Sequence, residues 1–285
     1  MMPDAPLVDA HHHLWDPARR AYDWMGPELE AIRRRFDLDD LRAVTAPAGV
    51  ERTVLVQAVG TLEETRELLA TAADSDGLVA GVVGWVDLTG GAAEEIAALR
   101  AGPGGEKLVG IRHPAQDEPD PEWLLRRDVK RGLAAVAEAG LVYDLLVRPL
   151  QMAAAVSVAA ELADVRFVLD HAGKPPIAEG DLERWRRQSA AIAAAPNVVC
   201  KLSGLVTEAD WERWRPADVE PVVEHLLATF GPRRLMFGSD WPVCTLAASY
   251  EDVLGLAAGC LERLGAEERE AVMSGVAKEV YGLDG

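Results

Sequence analysis

Eight short apolar runs, separated by segments of helical periodicity, constrain the fold of this chain more than any other feature. The runs are rich in Val, Leu and Ile and nearly continuous, which is typical of parallel strands buried on both faces. They occupy residues 7–13, 52–59, 77–88, 107–114, 141–149, 165–173, 197–204 and 233–242. Between them, segments such as residues 61–74, 128–140 and 218–231 carry the apolar spacing of amphipathic helices.

Eight strands, each followed by a helix, fit into 285 residues as a closed barrel. We therefore predict an α/β protein with a (β/α)8 TIM barrel as a single domain over residues 1–285. A long insert at about residues 14–51, which carries Pro and Trp, is expected to cap the barrel mouth. A doubly wound open sheet is the alternative, but no glycine-rich phosphate loop follows the first run.

Charge and cysteine content exclude several classes of protein. A net charge of −18 argues against nucleic acid or an anionic membrane surface as a partner. Three cysteines without a C-x-x-C pair favour neither a disulfide framework nor a zinc knuckle. No apolar run reaches the roughly 18 residues of a membrane span, and no signal peptide is visible. We expect a cytoplasmic protein with a small-molecule partner, no nucleic acid and no membrane, and the sequence leaves a homodimer open.

Polar residues concentrate where the predicted strands end. Five of the six histidines fall in three such places, and only His225 lies within a predicted helix. Because the C-terminal ends of barrel strands meet at the active site, these residues are the first candidates for function. They are His11, His12, His13, Arg112, His113, Asp170, His171, Lys201, Ser203, Ser239 and Asp240.

The spacing of the first histidines predicts a metal or water-activating site. His11 and His13 are two apart on a strand, so their side chains share one face, whereas His12 points the other way and is expected to be structural. His171 would add a third nitrogen, and Asp240 an oxygen that can also accept a proton. Three nitrogens and one carboxylate suit Zn²⁺ with a position left for water. Such a water is a hydrolytic nucleophile, with Asp240 as its base.

Further side chains are candidates for substrate binding. Arg112 directly follows an apolar run, where an arginine is costly unless it faces the pocket. Lys174 and Lys201 are weighed evenly between binding a substrate and extending into solvent. Trp15, Trp24 and Trp241 suit stacking on a sugar face as well as they suit core packing.

Six ordered blocks carry a resemblance to a known family through nearly the whole chain. They are "VDAHHHLWDP" (8–17), "GIRHPAQDEPDPEWL" (110–124), "YDLLVRPLQ" (143–151), "LDHAGKPPI" (169–177), "CKLSGLVTEADW" (200–211) and "MFGSDWPVC" (236–244). With these blocks the chain resembles the amidohydrolase superfamily. More narrowly, it is similar to the sugar-lactonase branch of fuconolactonases and rhamnonolactonases, with 2-pyrone-4,6-dicarboxylate lactonases as more distant relatives.

The resemblance implies a barrel that opens a lactone ring with activated water. It implies His11 and His13 as the paired histidines, His171 as the later-strand histidine, and Asp240 as the base. Arg112 falls where relatives hold substrate oxygens. The bridging ligand of binuclear members has no clear counterpart unless His113 or Lys201 takes that role. One divalent metal such as zinc and metal-independent catalysis therefore both stay open.

The leading hypothesis is hydrolysis of an aldonolactone, such as a fucono- or rhamnono-lactone, in carbohydrate catabolism. Asp240 takes a proton from water, and His171, Arg112 or a metal stabilises the developing oxyanion. The proposed substrate contacts are Arg112, His113, Lys174, Lys201, Trp15, Trp24 and Trp241. The alternatives are a metal-dependent decarboxylase of the same superfamily, a lactonase for a carboxylated pyrone or muconolactone, and a binding barrel without turnover.

Overall fold

Eight parallel strands form the centre of the molecule in a computed structural model that describes residues 6–283. The strands are β1 (Leu7–His12), β2 (Val50–Val56), β3 (Val79–Gly84), β4 (Leu108–His113), β5 (Val142–Leu145), β6 (Phe167–Leu169), β7 (Val198–Leu202) and β8 (Leu235–Phe237). Each pairs with the next in chain order. The last strand returns to the first just beyond β8, where the His13 amide donates to the Trp241 carbonyl at 2.7 Å. The predicted (β/α)8 barrel is confirmed.

Helices follow the strands, and most of them cover the outside of the barrel. They are α1 (Leu38–Thr45), α2 (Leu62–Ala73), α3 (Ala92–Arg100), α4 (Arg127–Glu138), α5 (Met152–Glu161), α6 (Glu183–Ala193), α7 (Pro216–Thr229), α8 (Tyr250–Cys260), α9 (Ala266–Glu270) and α10 (Val276–Tyr281). The three helical segments named from the sequence correspond to α2, α4 and α7, within two residues at each end. Among residues 6–283, no helix combines the length and the hydropathy needed to cross a bilayer.

The long segment between β1 and β2 contains a 3₁₀ helix (Pro27–Ile32) and α1. Ile32 and Leu41 are fully buried and anchor the two helices in the outer core. The 3₁₀ helix contacts the short helix Val243–Leu246 that follows β8. The first half of this segment therefore lies near the carboxyl ends of β8 and β1.

The interior of the barrel is a separate apolar core that α10 closes at the amino ends of the strands. Valines from six strands and Met236 point inward and contact Val276, Val280 and Tyr281 of α10. Two arginine side chains hold this C-terminal segment, since Arg166 donates to the Val280 carbonyl within α10 and Arg52 to the Leu283 carbonyl just beyond it. The carboxyl ends of the strands form the opposite, functional end.

A bulge in β1 decides which histidines enter the barrel. Asp9 pairs with Thr53 and His12 with Leu55, so β1 advances three residues while β2 advances two. Val8 and Ala10 point inward, and strict alternation from them would turn His12 inward and His11 outward. The extra residue reverses this, because a bulge re-aims the side chains that follow it. His12 lies outside, with Nε2 2.9 Å from Thr53 Oγ1.

Candidate active site

His11, His13 and Asp240 meet at the carboxyl end of the barrel. His11 Nε2 lies 3.1 Å from His13 Nε2, and Asp240 Oδ1 lies 3.7 and 3.5 Å from these two atoms. His13 Nδ1 donates to the Val56 carbonyl at 2.7 Å, which leaves the lone pair of its Nε2 facing the group. Ligands of a tetrahedral zinc are separated by about 3.3 Å, so the three donors fit one ion of that size.

His171 joins a second, adjoining group rather than completing the first. It shares that group with His11 and Asp170, and its ring centroid lies 4.5 Å from that of His11. Its Nδ1 lies 3.0 Å from Ser203 Oγ. The structure thus brings the four predicted ligands together around His11, with three at one point and His171 beside them.

Lys201 and Arg112 lie beneath the histidines, inside the barrel. Lys201 is fully buried, with Nζ 2.5 Å from Asp144 Oδ2 and 3.0 Å from Asp170 Oδ1. Arg112 is 4% exposed and donates to Asp170 Oδ2 at 2.9 Å and to the Gln57 carbonyl. Buried carboxylates thus neutralise both cations. The two cations lie on the inner side of the histidines and help to fix their positions.

Two neighbours of opposite charge control the protonation of His11. Its Nδ1 lies 3.2 Å from Lys201 Nζ and 3.4 Å from Asp170 Oδ1. With the proton on Nδ1, directed at Asp170, the Nε2 lone pair is free to bind a metal. With Lys201 donating to Nδ1, the Nε2–H donates to His13. The histidine pair can therefore satisfy its hydrogen bonds with or without a metal.

The pKa shifts favour an ionised Asp240 and neutral His11 and His171. Burial alone would raise the pKa of Asp240. Interactions with His171, with the hydrogen-bonding His13 and with the charge of Lys174 are together stronger, and they hold this pKa below its ordinary value. Burial lowers the pKa of His171 to about 4, and the carboxylates of Asp240 and Asp170 only partly oppose the shift. Burial, followed by the charge of Lys201, holds the pKa of His11 well below its usual range. A carboxylate base beside neutral imidazoles is the result.

Strained backbone presents both His171 and Asp240. Four consecutive residues, His171 to Lys174, have φ between 51° and 69°, and Asp240 has φ of 57°. Such left-handed conformations cost non-glycine residues about 1–3 kcal/mol each and occur where a site requires them. The indole N–H of Trp185, which lies on α6 outside the barrel, donates to the Ala172 carbonyl at 2.7 Å. This bond stabilises the turn that contains His171.

Gly204 lets the two strained residues approach each other. It has φ of 62°, and a Cβ there would lie 2.6 Å from His171 Nδ1 and 3.1 Å from Asp240 Oδ2. Any larger side chain at this position would push the base and the histidine apart.

Two further predicted substrate contacts, His113 and Lys174, lie in different parts of the site region. His113 points away from the barrel axis, stacked on Trp123 at 4.2 Å, with Nε2 2.7 Å from Glu118. Lys174 stands in the strained turn, with Nζ 3.5 Å from Glu208.

The three tryptophans are also distributed between core and surface. Trp15 is 4% exposed, stacks 6.0 Å from the ring of His13 and donates to the Ile32 carbonyl. Trp241 is 3% exposed and packs on Phe36. Trp24 is 38% exposed and makes an edge contact with Trp15. Trp24 alone of these three presents much of its ring to solvent.

Four residues of the site were not assigned a role from the sequence. Asp170 and Ser203 had been noted only as polar residues at strand ends, and Gly204 and Asp144 not at all. Asp144 had a usable signal, because a carboxylate inside the apolar run "VYDLL" requires a buried cation as its partner.

Comparisons with known proteins agree with this geometry. The family model described as Amidohydrolase matches residues 8–283. An L-fucono-1,5-lactonase from Burkholderia multivorans is 42% identical, with 97% of this chain and 96% of the relative covered. One from Burkholderia ambifaria is 41% identical, covering 97% and 96%.

A solved structure supports the same conclusion. An amidohydrolase from Burkholderia multivorans, crystallised with bound zinc, is 41% identical and superposes with a TM-score of 0.92. The alignment covers 98% of this chain and 99% of that one. With its barrel, its strand-end histidines and its aspartate after β8, the chain belongs to the amidohydrolase family.

Proposed function

We propose that this protein is a hydrolase of carboxylic esters that opens the ring of a sugar lactone, with L-fucono-1,5-lactone as the leading substrate. The observation that carries the proposal is the Asp240 carboxylate, 3.5 Å from His13 Nε2, in a chain 42% identical to an L-fucono-1,5-lactonase. A second curated lactonase at 41% identity supports the same substrate class. The decarboxylase alternative has no comparable support.

In the proposed mechanism Asp240 removes a proton from water as the water oxygen attacks the ring carbonyl. The neutral His171 donates a hydrogen bond to the oxyanion, since Ser203 can occupy its Nδ1 and leave an N–H on Nε2. The bond between the carbonyl carbon and the ring oxygen then breaks. The proton held by Asp240 passes to the ring oxygen, which leaves as a hydroxyl group, and the product is a carboxylic acid.

We propose His11, His13 and Asp240 as the residues that hold a divalent metal, with zinc as the leading ion and His171 beside it. When bound, such an ion polarises water or a carbonyl oxygen. Metal-independent turnover is the alternative, and metal analysis of chelator-treated protein combined with the assay below separates the two.

We also propose that the predicted substrate contacts have different roles. Trp24 and Lys174 face the mouth and contact the sugar, under a cap formed by the segment between β1 and β2. Arg112 and Lys201 act from below by fixing Asp170 and His11, and Trp15 acts by backing His13. His113 and Trp241 support the loops on which these groups stand.

The test is a pH-indicator assay of acid release against fucono-, rhamnono-, galactono- and arabinono-lactones in their 1,4 and 1,5 forms. We expect acid release well above the spontaneous rate on one stereochemical subset that includes fucono-1,5-lactone. No acceleration on any of these lactones would contradict the proposal and direct attention to carboxylated lactones. A parallel assay for released CO₂ tests the decarboxylase alternative.

A further inference from the structure

A chain of buried polar groups runs from the closed end of the barrel to His11. It begins at Tyr281 on α10, which is 4% exposed and whose hydroxyl lies 2.9 Å from both carboxylate oxygens of Asp144. Asp144 in turn binds Lys201 Nζ, and Lys201 reaches His11 Nδ1. The residues of α10 thus contact the site through only two intervening side chains.

Lys201 is held by two hydrogen bonds and one further ion pair. Its ammonium group donates to Asp144 Oδ2 and to His11 Nδ1, and Asp170 Oδ1 lies 3.0 Å from Nζ as an ion-pair partner. The side chain is fully buried, and the ring of Tyr281 lies 5.3 Å from Nζ. The direction of the bond to His11 therefore depends on where Asp144 stands.

Tyr281 is the group that fixes Asp144 from the side opposite Lys201. Its O–H donates to the carboxylate, whereas Asp170, directly after the neighbouring strand β6, carries a like charge and repels it. Without the hydroxyl, one face of a buried carboxylate loses its donor, and the carboxylate can turn further toward Lys201.

We propose that Tyr281 is a positioning residue for the lactonase reaction. From the closed end of the barrel it fixes Asp144, through it Lys201, and so the hydrogen-bonding state of His11. The inference rests on the proposed function of the same site. It gives the C-terminal helix a part in turnover in addition to closing the barrel.

The first experiment compares Tyr281→Phe with Tyr143→Phe, using the lactone that the wild-type protein opens. Tyr143 is a matched control, because it is fully buried on β5 next to Asp144 and its hydroxyl has no hydrogen-bond partner among residues 6–283. For Tyr281→Phe we expect kcat to fall about tenfold, as for loss of other supporting hydrogen bonds, while KM stays at the wild-type value. For Tyr143→Phe both constants should stay unchanged, and the two variants should melt within a few degrees of each other.

A kcat for Tyr281→Phe within about twofold of wild type overturns the inference. A fall in kcat that comes with a rise in KM, or with a much lower melting temperature than the control, also overturns it, because the role would then be structural. A failure of the substrate assignment shows already in the wild-type protein, whereas a failure of this inference shows only in the variant.

A second experiment tests the route through the carboxylate. Asp144→Asn keeps the shape of the side chain and removes its charge, and we expect it to lower kcat more than Tyr281→Phe does. If the route is correct, adding Tyr281→Phe to Asp144→Asn costs almost nothing further. Full additivity of the two losses would show that Tyr281 acts by another path.

Discussion

Asp240 and its neighbours show how single residues divide the work of the site. The carboxylate must be ionised to accept a proton, and its contacts with His171, His13 and Lys174 overcome its burial and hold its pKa below the ordinary value. His11 and His171 are kept neutral by their own burial. One environment therefore produces two protonation states, because burial is countered at the carboxylate and hardly countered at the imidazoles.

Replacing the proposed base tests this assignment. Asp240→Asn removes the proton acceptor while keeping its shape, and we expect kcat to fall by about 10² to 10⁴. The circular dichroism spectrum and the melting temperature should stay close to those of the wild type. An activity within tenfold of wild type would remove Asp240 from the role of base.

Gly204 offers a second test at the same scale. In Gly204→Ala the new methyl group would lie 2.6 Å from His171 Nδ1, and we expect a loss of about 10² in kcat from the displaced histidine. Gly140→Ala is the matched control, because Gly140 also has positive φ, at 68°, in the turn that ends α4, but no atom lies within 4 Å of the added methyl group. Both variants should lose about 1–2 kcal/mol of stability to the left-handed backbone. Equal activities in the two would contradict a close approach at Gly204.

At the scale of elements, the sequence predicted all eight strands but not where each one ends. The predicted runs 165–173 and 233–242 extend well beyond β6 and β8, which end at Leu169 and Phe237. The chain leaves each strand just before His171 or Asp240 and enters a left-handed conformation. The residue types at these positions do not indicate a positive φ, because tertiary contacts impose that backbone conformation.

The orientation of the first histidines was predicted correctly although the strand that carries them is irregular. The H-x-H spacing places His11 and His13 on one face, yet the bulge in β1 determines that this face is the inner one. The sequence placed Arg112 and Lys201 at strand ends and favoured a pocket-facing Arg112, but it did not predict their ion pairs, because the carboxylate partners come from other parts of the chain.

Trp185 tests how far an outer helix supports the turn after β6. Trp185→Phe removes the N–H that binds the Ala172 carbonyl, and we expect kcat to fall about tenfold as the turn that presents His171 loosens. Trp214→Phe is the control for loss of an indole N–H bond, since that partly buried indole donates to the Ala247 carbonyl at 2.8 Å, in a different loop. The control should keep its kcat. Equal kcat values in both variants would indicate that the turn holds its shape unaided.

At the scale of the whole molecule, one buried glutamate makes stability depend on pH. Glu64, at the start of α2, is 1% exposed, and burial raises its pKa to about 7 despite the backbone N–H groups of Val59 and Ala58. A carboxyl group whose pKa is raised on folding stabilises the fold fully below its unfolded pKa. This contribution is lost as the pH rises through the folded value.

We therefore expect wild-type stability to decline by about 3 kcal/mol between pH 4.5 and pH 8 through this group. Glu64→Gln should remove that decline, because an amide keeps an acceptor for the two N–H groups and does not ionise. Urea unfolding of both proteins at pH 5 and pH 8 measures the difference. A constant gap between the two proteins at both pH values would mean that Glu64 titrates normally.

Closure of the barrel by α10 has a consequence for the flow of reactants. The lower end is filled, so substrate and product use the same mouth. In the proposed reaction a neutral ring enters and an anion departs, from a chain whose net charge is −18. The negative electrostatic potential of the protein does not attract or repel the neutral substrate, but it repels the anionic product. Salt limits this repulsion to a screening length of roughly 10 Å. The acidity of the chain therefore favours departure of the anionic product through the single open end of the barrel.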